Sequence, residues 1–180
     1  MSAQLPVLGA TVVDAGSIDR RVGELAIDID AHYAGIDHPL LLVCVLKGAL
    51  IFTADLVRRL TIPIEIDFIS VRSYRDATQS SGAVELVADV LTNLRGRDVL
   101  IVEDIVDSGR TIASLQRHLA GLGARSVRLV ALLDKASRRA RDVHIDWRGF
   151  DIPDRFVVGY GLDCGERYRN LAEVRVLDGV

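Results

Sequence analysis

Between positions 99 and 111 the chain reads Val-Leu-Ile-Val-Glu-Asp-Ile-Val-Asp-Ser-Gly-Arg-Thr, an apolar run that delivers three carboxylates into a turn rich in hydroxyls. Four consecutive apolar residues, Val99 to Val102, suit a strand buried on both faces of a parallel sheet, with Glu103 and Asp104 at its carboxyl end. After Asp107-Ser108-Gly109-Arg110-Thr111, the residues Ile112, Leu115, Leu119 and Leu122 recur at helical spacing, so the turn opens a helix. The unpaired N–H groups of a helix start, with roughly half a positive charge of macrodipole, attract a phosphate. Gly109 lets the backbone come close, and the hydroxyls of Ser108 and Thr111 can add hydrogen bonds. The adjacent acids Glu103 and Asp104 are acceptors for two neighbouring hydroxyls, as on a ribose ring. Asp107 then faces whatever the sugar carries at its anomeric carbon, where a carboxylate can exchange a proton. Taken alone, Asp-Ser-Gly is a helix-capping pattern. The ordered run of strand, paired acids, third acid, glycine and hydroxyls points instead to a phosphorylated sugar.

The elements that must hold this site can be read along the chain. Ile18, Val22, Leu25, Ala26, Ile29 and Tyr33 predict an amphipathic helix over residues 19–34, capped by Ser17 or Asp19. Residues 40–46 are continuously apolar and end at Lys47-Gly48, and residues 49–60 then show helical spacing, a second strand–turn–helix unit. Pro63 starts an extended stretch in which Ile64, Ile66 and Phe68 alternate with Glu65 and Asp67. Residues 72–82 are polar and small apart from Tyr74 and read as a mobile lid at the tip of a hairpin that resumes over residues 84–91. A helix to Leu122, a strand over residues 127–133 ending at Asp134-Lys135, and a last strand around residues 156–158 complete the pattern. Apolar runs alternating with helices predict an α/β fold with a mainly parallel twisted sheet. Ligands of such sheets bind at the carboxyl ends of strands, where Lys47, Glu103, Asp104, Asp107, Lys135 and the residues after Val158 all fall.

With 180 residues, nearly half of them hydrophobic, the chain suits one domain of ordinary composition. A net charge of −3 gives no broad electrostatic reason to bind nucleic acid or an anionic membrane. The first residues lack a secretory pattern, and no apolar run approaches the roughly 18 residues that span a bilayer, so the cytoplasm is expected. Two cysteines, Cys44 in an apolar run and Cys164 beside Asp163, form no disulfide framework or metal motif.

These residues together resemble the type I phosphoribosyltransferases, and among them the hypoxanthine-guanine phosphoribosyltransferases, over residues 40–171. Residues 99–111 are similar to that family's motif for phosphoribosyl pyrophosphate. Leu46-Lys47-Gly48, Ser73-Tyr74, Asp134-Lys135, and Phe156-Val-Val-Gly-Tyr-Gly-Leu-Asp163 followed by Glu166 and Tyr168-Arg169-Asn170 match further blocks in order. The resemblance implies a single domain with a core over about residues 37–160 and a small hood from about residues 1–16 and 161–180. It implies magnesium-dependent transfer of 5-phosphoribose from phosphoribosyl pyrophosphate to a 6-oxopurine, hypoxanthine or guanine, in purine salvage by a homodimer or homotetramer. By that pattern Glu103 and Asp104 hold the ribose hydroxyls directly or through magnesium, and Asp107 accepts the purine's proton. Ser108, Gly109, Arg110 and Thr111 cradle the 5-phosphate, while Lys47, Gly48 and Arg169 take the pyrophosphate. Lys135, Phe156, Val157 and Asp163 meet the base, Asp163 also ligates magnesium, and Ser73 and Tyr74 close over the site. Cys164, where many relatives carry an aromatic, and Ala172, in place of a frequent proline, depart from the pattern. Two rivals remain at this level: a nucleotide-sensing, RNA-binding regulator of the same fold, and a receiver-type signalling domain with acids and a lysine at strand ends.

Overall fold

A computed structural model describes residues 7–73 and 84–179. Its main body is a six-stranded sheet in the order β4-β3-β2-β5-β6-β7, built from β2 (Leu40–Leu46), β3 (Ile64–Ser73), β4 (Val84–Ala88), β5 (Asp98–Val106), β6 (Ser126–Asp134) and β7 (Trp147–Asp151). All neighbours are parallel except β3 and β4, which pair antiparallel as the hairpin expectation requires. The stretch between them, residues 74–83 with Tyr74, lies outside the described residues. A second, three-stranded antiparallel sheet in the order β1-β9-β8 joins β1 (Val7–Val13), β9 (Val174–Asp178) and β8 (Val157–Val158).

Alternation along the central strands sends successive side chains to opposite faces, and each face has its own core. Leu40, Leu42, Leu100 and Val102 pack with α1 (Ala15–His32), α2 (Leu50–Val57) and the small sheet's Val157 and Val174. Leu41, Val43, Val99 and Ile101 pack with Ile112, Leu115 and Leu119 of α3 (Arg110–Gly121). Full burial of each such side chain is worth about 1.5–3 kcal/mol, so both faces of β2 and β5 are pinned and their ends are fixed in space.

The structure corrects several boundaries. α1 begins at Ala15, with Asp14 as its cap accepting from the Ser17 N–H at 2.9 Å, because an aspartate one residue ahead of Ala15-Gly16 can close the first turn earlier than Ser17 or Asp19. β5 runs on to Val106, so Glu103 and Asp104 lie within the strand rather than beyond it, held by the pairing of Glu103 with Ala131 and Ile105 with Leu133. β8 is neither the last strand nor part of the parallel sheet. It pairs with β9, so the residues after Val158 reach the site from the small sheet that roofs one end of the core.

Candidate active site

Three turns at the carboxyl edge carry the predicted chemistry: residues 47–49 after β2, residues 107–109 after β5, and Lys135 after β6. The first is packed tightly on both sides. The Leu46–Lys47 peptide is cis, and a Cβ placed on Gly48 would lie 1.7 Å from Asp104 Oδ2. From the roof, Gly161 approaches so closely that a Cβ there would lie 2.1 Å from the Gly48 carbonyl oxygen. Two glycines thus let the 47–48 turn fit between Asp104 and the 159–171 segment.

Glu103 is buried, with Oε2 lacking a hydrogen-bond partner among the described residues. Burial first, and then the neighbouring Asp104 carboxylate, push its carboxyl well above the usual carboxylate range. Asp104, still partly accessible, is raised to about 6, chiefly by burial, with its own strand's N–H of Ile105 and the Arg169 charge opposing. Two acids held this close, one with an unsatisfied buried oxygen, form a hard-oxygen donor pair that suits the hydroxyls of a sugar or a magnesium ion, which takes few protein ligands. Among the described residues no group of three or more His, Cys, Asp and Glu side chains is arranged for a metal, so the acids fit only an ion that also leans on its ligand's oxygens.

The phosphate turn has the conformation its glycine permits: Gly109 caps α3 with φ 77°, and no side chain closes the helix start. Neither Asp107 nor Ser108 therefore acts as the cap, although the Ser108 hydroxyl lies 3.5 Å from the Arg110 N–H. Asp107 Oδ1 has no hydrogen-bond partner among the described residues, and forms instead a long ion pair with Arg138 Nε at 3.6 Å. Lys135 is only 6% exposed, unlike the exposed Arg138 and Arg141 that follow it in the same run of cations. Its N–H donates to the Val106 carbonyl at 2.9 Å, so the base-side lysine is tied to the residue before Asp107. Phe156 is 37% exposed while Val157 is buried in β8, so the ring stands at the surface where a flat ligand could stack.

The roof segment brings Asp163 and Arg169 together at 3.0 Å. Arg169 Nη1 also donates to the Gly161 carbonyl at 2.8 Å, which fixes the arginine beside the 47–48 turn. Glu166, to which sequence reasoning gave no role, pairs with both Lys47 at 3.0 Å and Arg169 at 3.1 Å, and these cations hold its carboxyl below the usual range. Both partners of the Lys47 pair are largely exposed, so it is worth little and an incoming anion can replace the carboxylate. Tyr160, Glu166 and Tyr168 all have positive φ, a concentration of uncommon backbone in one short segment of the kind found at ligand clamps. Tyr160, quoted in sequence only within a matched block, takes its role from the fold. Its hydroxyl donates to Asp55 Oδ2 at 2.6 Å, anchoring the roof to α2. Cys44 is buried, as an inert core thiol should be, and Cys164 pairs through its backbone with Arg167.

Comparison with known proteins places this geometry. The family model for the phosphoribosyl transferase domain matches residues 11–164. A hypoxanthine-guanine phosphoribosyltransferase of Mycobacterium avium is 45% identical over 173 residues, covering 94% of this chain and 85% of that protein. One of Bacillus subtilis is 45% identical over 166 residues, covering 92% and 91%. The crystal structure of a hypoxanthine-guanine phosphoribosyltransferase from Bacillus anthracis superposes with a TM-score of 0.89 at 38% identity, covering 94% of this chain and 99% of that one.

Proposed function

The chain belongs to the phosphoribosyl transferase family, and we propose that it is a hypoxanthine-guanine phosphoribosyltransferase that salvages purines by joining 5-phosphoribose from phosphoribosyl pyrophosphate to a 6-oxopurine. The observation that carries this reading is the meeting, on one edge, of an open helix start after Asp107, an acid pair with one unsatisfied buried oxygen, and a buried lysine one hydrogen bond from the same strand end.

In the reaction the bond to pyrophosphate loosens, negative charge gathers on the departing oxygens, and the sugar becomes cation-like, so catalysis is mostly placement and charge stabilisation. Ser108, Gly109, Arg110 and Thr111 hold the 5-phosphate, and Glu103 and Asp104 hold the ribose hydroxyls. Lys47, Gly48 and Arg169 receive the pyrophosphate, displacing Glu166 from both cations. Glu103 and Asp104 at the ribose, and Asp163 on the pyrophosphate side, would hold magnesium together with the ligand's own oxygens, and the ion would supply positive charge to the leaving group. Asp107 takes the proton from the imidazole nitrogen of the base. Lys135 donates to the exocyclic oxygen and so selects oxo over amino purines, whose NH₂ would face the ammonium with donors of its own. Phe156 stacks on the base, the Val157 backbone bonds its edge, and Ser73 and Tyr74 close over the donor to exclude water.

We assign the work to the cytoplasm and to a single catalytic domain, residues 37–160 forming the core and the terminal segments the hood. No helix among the described residues is long and apolar enough to cross a membrane. A homodimer or homotetramer is supported by the uncovered apolar side chains Leu50 on α2 and Ile66 and Phe68 on β3, all more than 40% exposed. No observation favours an RNA-binding regulator or a receiver domain.

The test is direct: incubate the protein with phosphoribosyl pyrophosphate and magnesium plus hypoxanthine, guanine, xanthine or adenine, and identify nucleotide and pyrophosphate. Equimolar inosine or guanosine monophosphate and pyrophosphate is expected. Absence of any oxopurine nucleotide would overturn the reading.

A further inference from the structure

We infer that Arg139, seated on the buried carboxylate of Asp134, is a positioning residue that aims the peptide N–H groups of the phosphate turn at their ligand. The inference rests on residues 107–111 binding the 5-phosphate, as proposed above.

The segment after β6 wraps the turn after β5 from outside. Arg139 Nη1 donates to the Asp107 carbonyl at 3.3 Å, and the N–H groups of Ala140 and Arg141 both donate to the Ser108 carbonyl at 3.0 Å. In a planar trans peptide the C=O and the following N–H point in opposite directions. Drawing the carbonyls of Asp107 and Ser108 outward towards residues 139–141 therefore turns the N–H groups of Ser108 and Gly109 inward. Among the described residues neither N–H has an acceptor, and nor does that of Thr111. Such a row of free N–H groups closed by a left-handed glycine is an oxyanion concavity. Packing reinforces the hydrogen bonds. A Cβ on Gly109 would lie 2.7 Å from the Arg141 carbonyl and 3.2 Å from Arg139 Cδ, so the arginine stem is part of the wall against which the turn rests.

What holds Arg139 is the Asp134 side chain, only 4% exposed, which accepts from Arg139 through Oδ1 and from Arg148 at 3.2 Å through Oδ2. A buried carboxylate left without partners is costly, so Asp134 fixes the guanidinium that reaches it. The planar, many-donor guanidinium can serve Asp134 with one edge and the Asp107 carbonyl with another. A lysine could satisfy the first partner but lacks that fork. Asp134 also directly precedes Lys135, so one strand end sets the base-side lysine and, through Arg139, the phosphate turn.

The experiment compares binding of inosine 5′-monophosphate with binding of inosine, a pair that differs only in the phosphate, for wild type, Arg139→Ala, Arg139→Lys and Arg148→Ala. Melting temperature and the donor KM and kcat are measured alongside. Arg139→Ala is expected to weaken the nucleotide by about tenfold while inosine stays within about twofold, and to raise donor KM more than it lowers kcat. Arg139→Lys should restore most of the melting temperature but not the nucleotide preference, which keeps the test available if the alanine variant folds poorly. Arg148→Ala, which loses the other partner of Asp134, should retain the preference. Equal weakening of nucleotide and nucleoside in both Arg139 variants, or an unchanged preference, would overturn the inference. A wild type with no preference for the phosphate would instead sink the underlying assignment of the turn, and the inference with it.

Discussion

Asp107 shows how much chemistry one carboxylate can carry when its surroundings leave one of its oxygens without a hydrogen bond. Its Oδ1 has no hydrogen-bond partner and it does not cap α3, so Asp107→Asn should lower kcat by about 10²–10⁴-fold, the usual worth of a general base, while donor KM stays nearly constant in steady-state assays. Lys135 carries a specificity role instead: Lys135→Ala should narrow the ratio of kcat/KM between hypoxanthine and adenine, measured by competition. Asp104 shows the cost of keeping acids together. Its folded-state value, raised to about 6, lies above that of an unfolded aspartate, so the ligand-free protein loses stability as pH climbs through about 6 and regains it below about 4. Asp104→Asn is therefore expected to melt at higher temperature than wild type at pH 8, by the order of 1 kcal/mol, with the gap closing towards pH 4 and turnover largely lost. These residues were legible in sequence because strand, acids and turn lie in one contiguous run. The roles of Glu166 and Asp134, named only within matched blocks, and of Arg139 were not, since each acts on a partner brought near only by the fold, and Arg139 sits in a run of cations that composition cannot tell from a solvated face.

At the level of elements, the parallel core could be read because β2, β5 and β6 are buried on both faces and leave unbroken apolar runs. The strands β1, β7 and β9 could not. Trp147-Arg-Gly-Phe-Asp151 is half-exposed without alternation, and β1 acquires its partner only from residues 174–178 at the far end of the chain. The boundary at Glu103 was misjudged for a related reason: an acidic residue reads as a strand end unless a neighbouring strand continues beside it, as β6 does here. The contact between the roof and the core is an element-scale property as well. Gly161 has φ 98° and touches the Gly48 carbonyl, so Gly161→Ala would meet both an unfavourable backbone and a backbone oxygen. A loss of about 1–3 kcal/mol in unfolding free energy and a raised KM for the donor, with the base KM less affected, are the expected results from denaturant titration and kinetics.

The whole molecule separates its chemistry from its staples. Opposite the site edge, Asp98 at the start of β5 accepts hydrogen bonds from Arg125 and Ser126, and the arginine above all holds its carboxyl below the usual range. Its contribution is therefore present above the ordinary aspartate value of about 3.9 and disappears as pH falls through the lowered one. In thermal melts Asp98→Asn should be less stable than wild type at pH 6 and converge with it towards pH 2. The small sheet has a different consequence. Because Val7 lies across from Asp178 in neighbouring strands, the two ends of the described chain sit side by side. A short bridge between them would close the backbone into a ring at small entropic cost, and that ring could be reopened at the turn around Gly123, on the edge away from the acids. The fold thus admits circular permutation, with the order of its segments changed and its catalytic edge left intact.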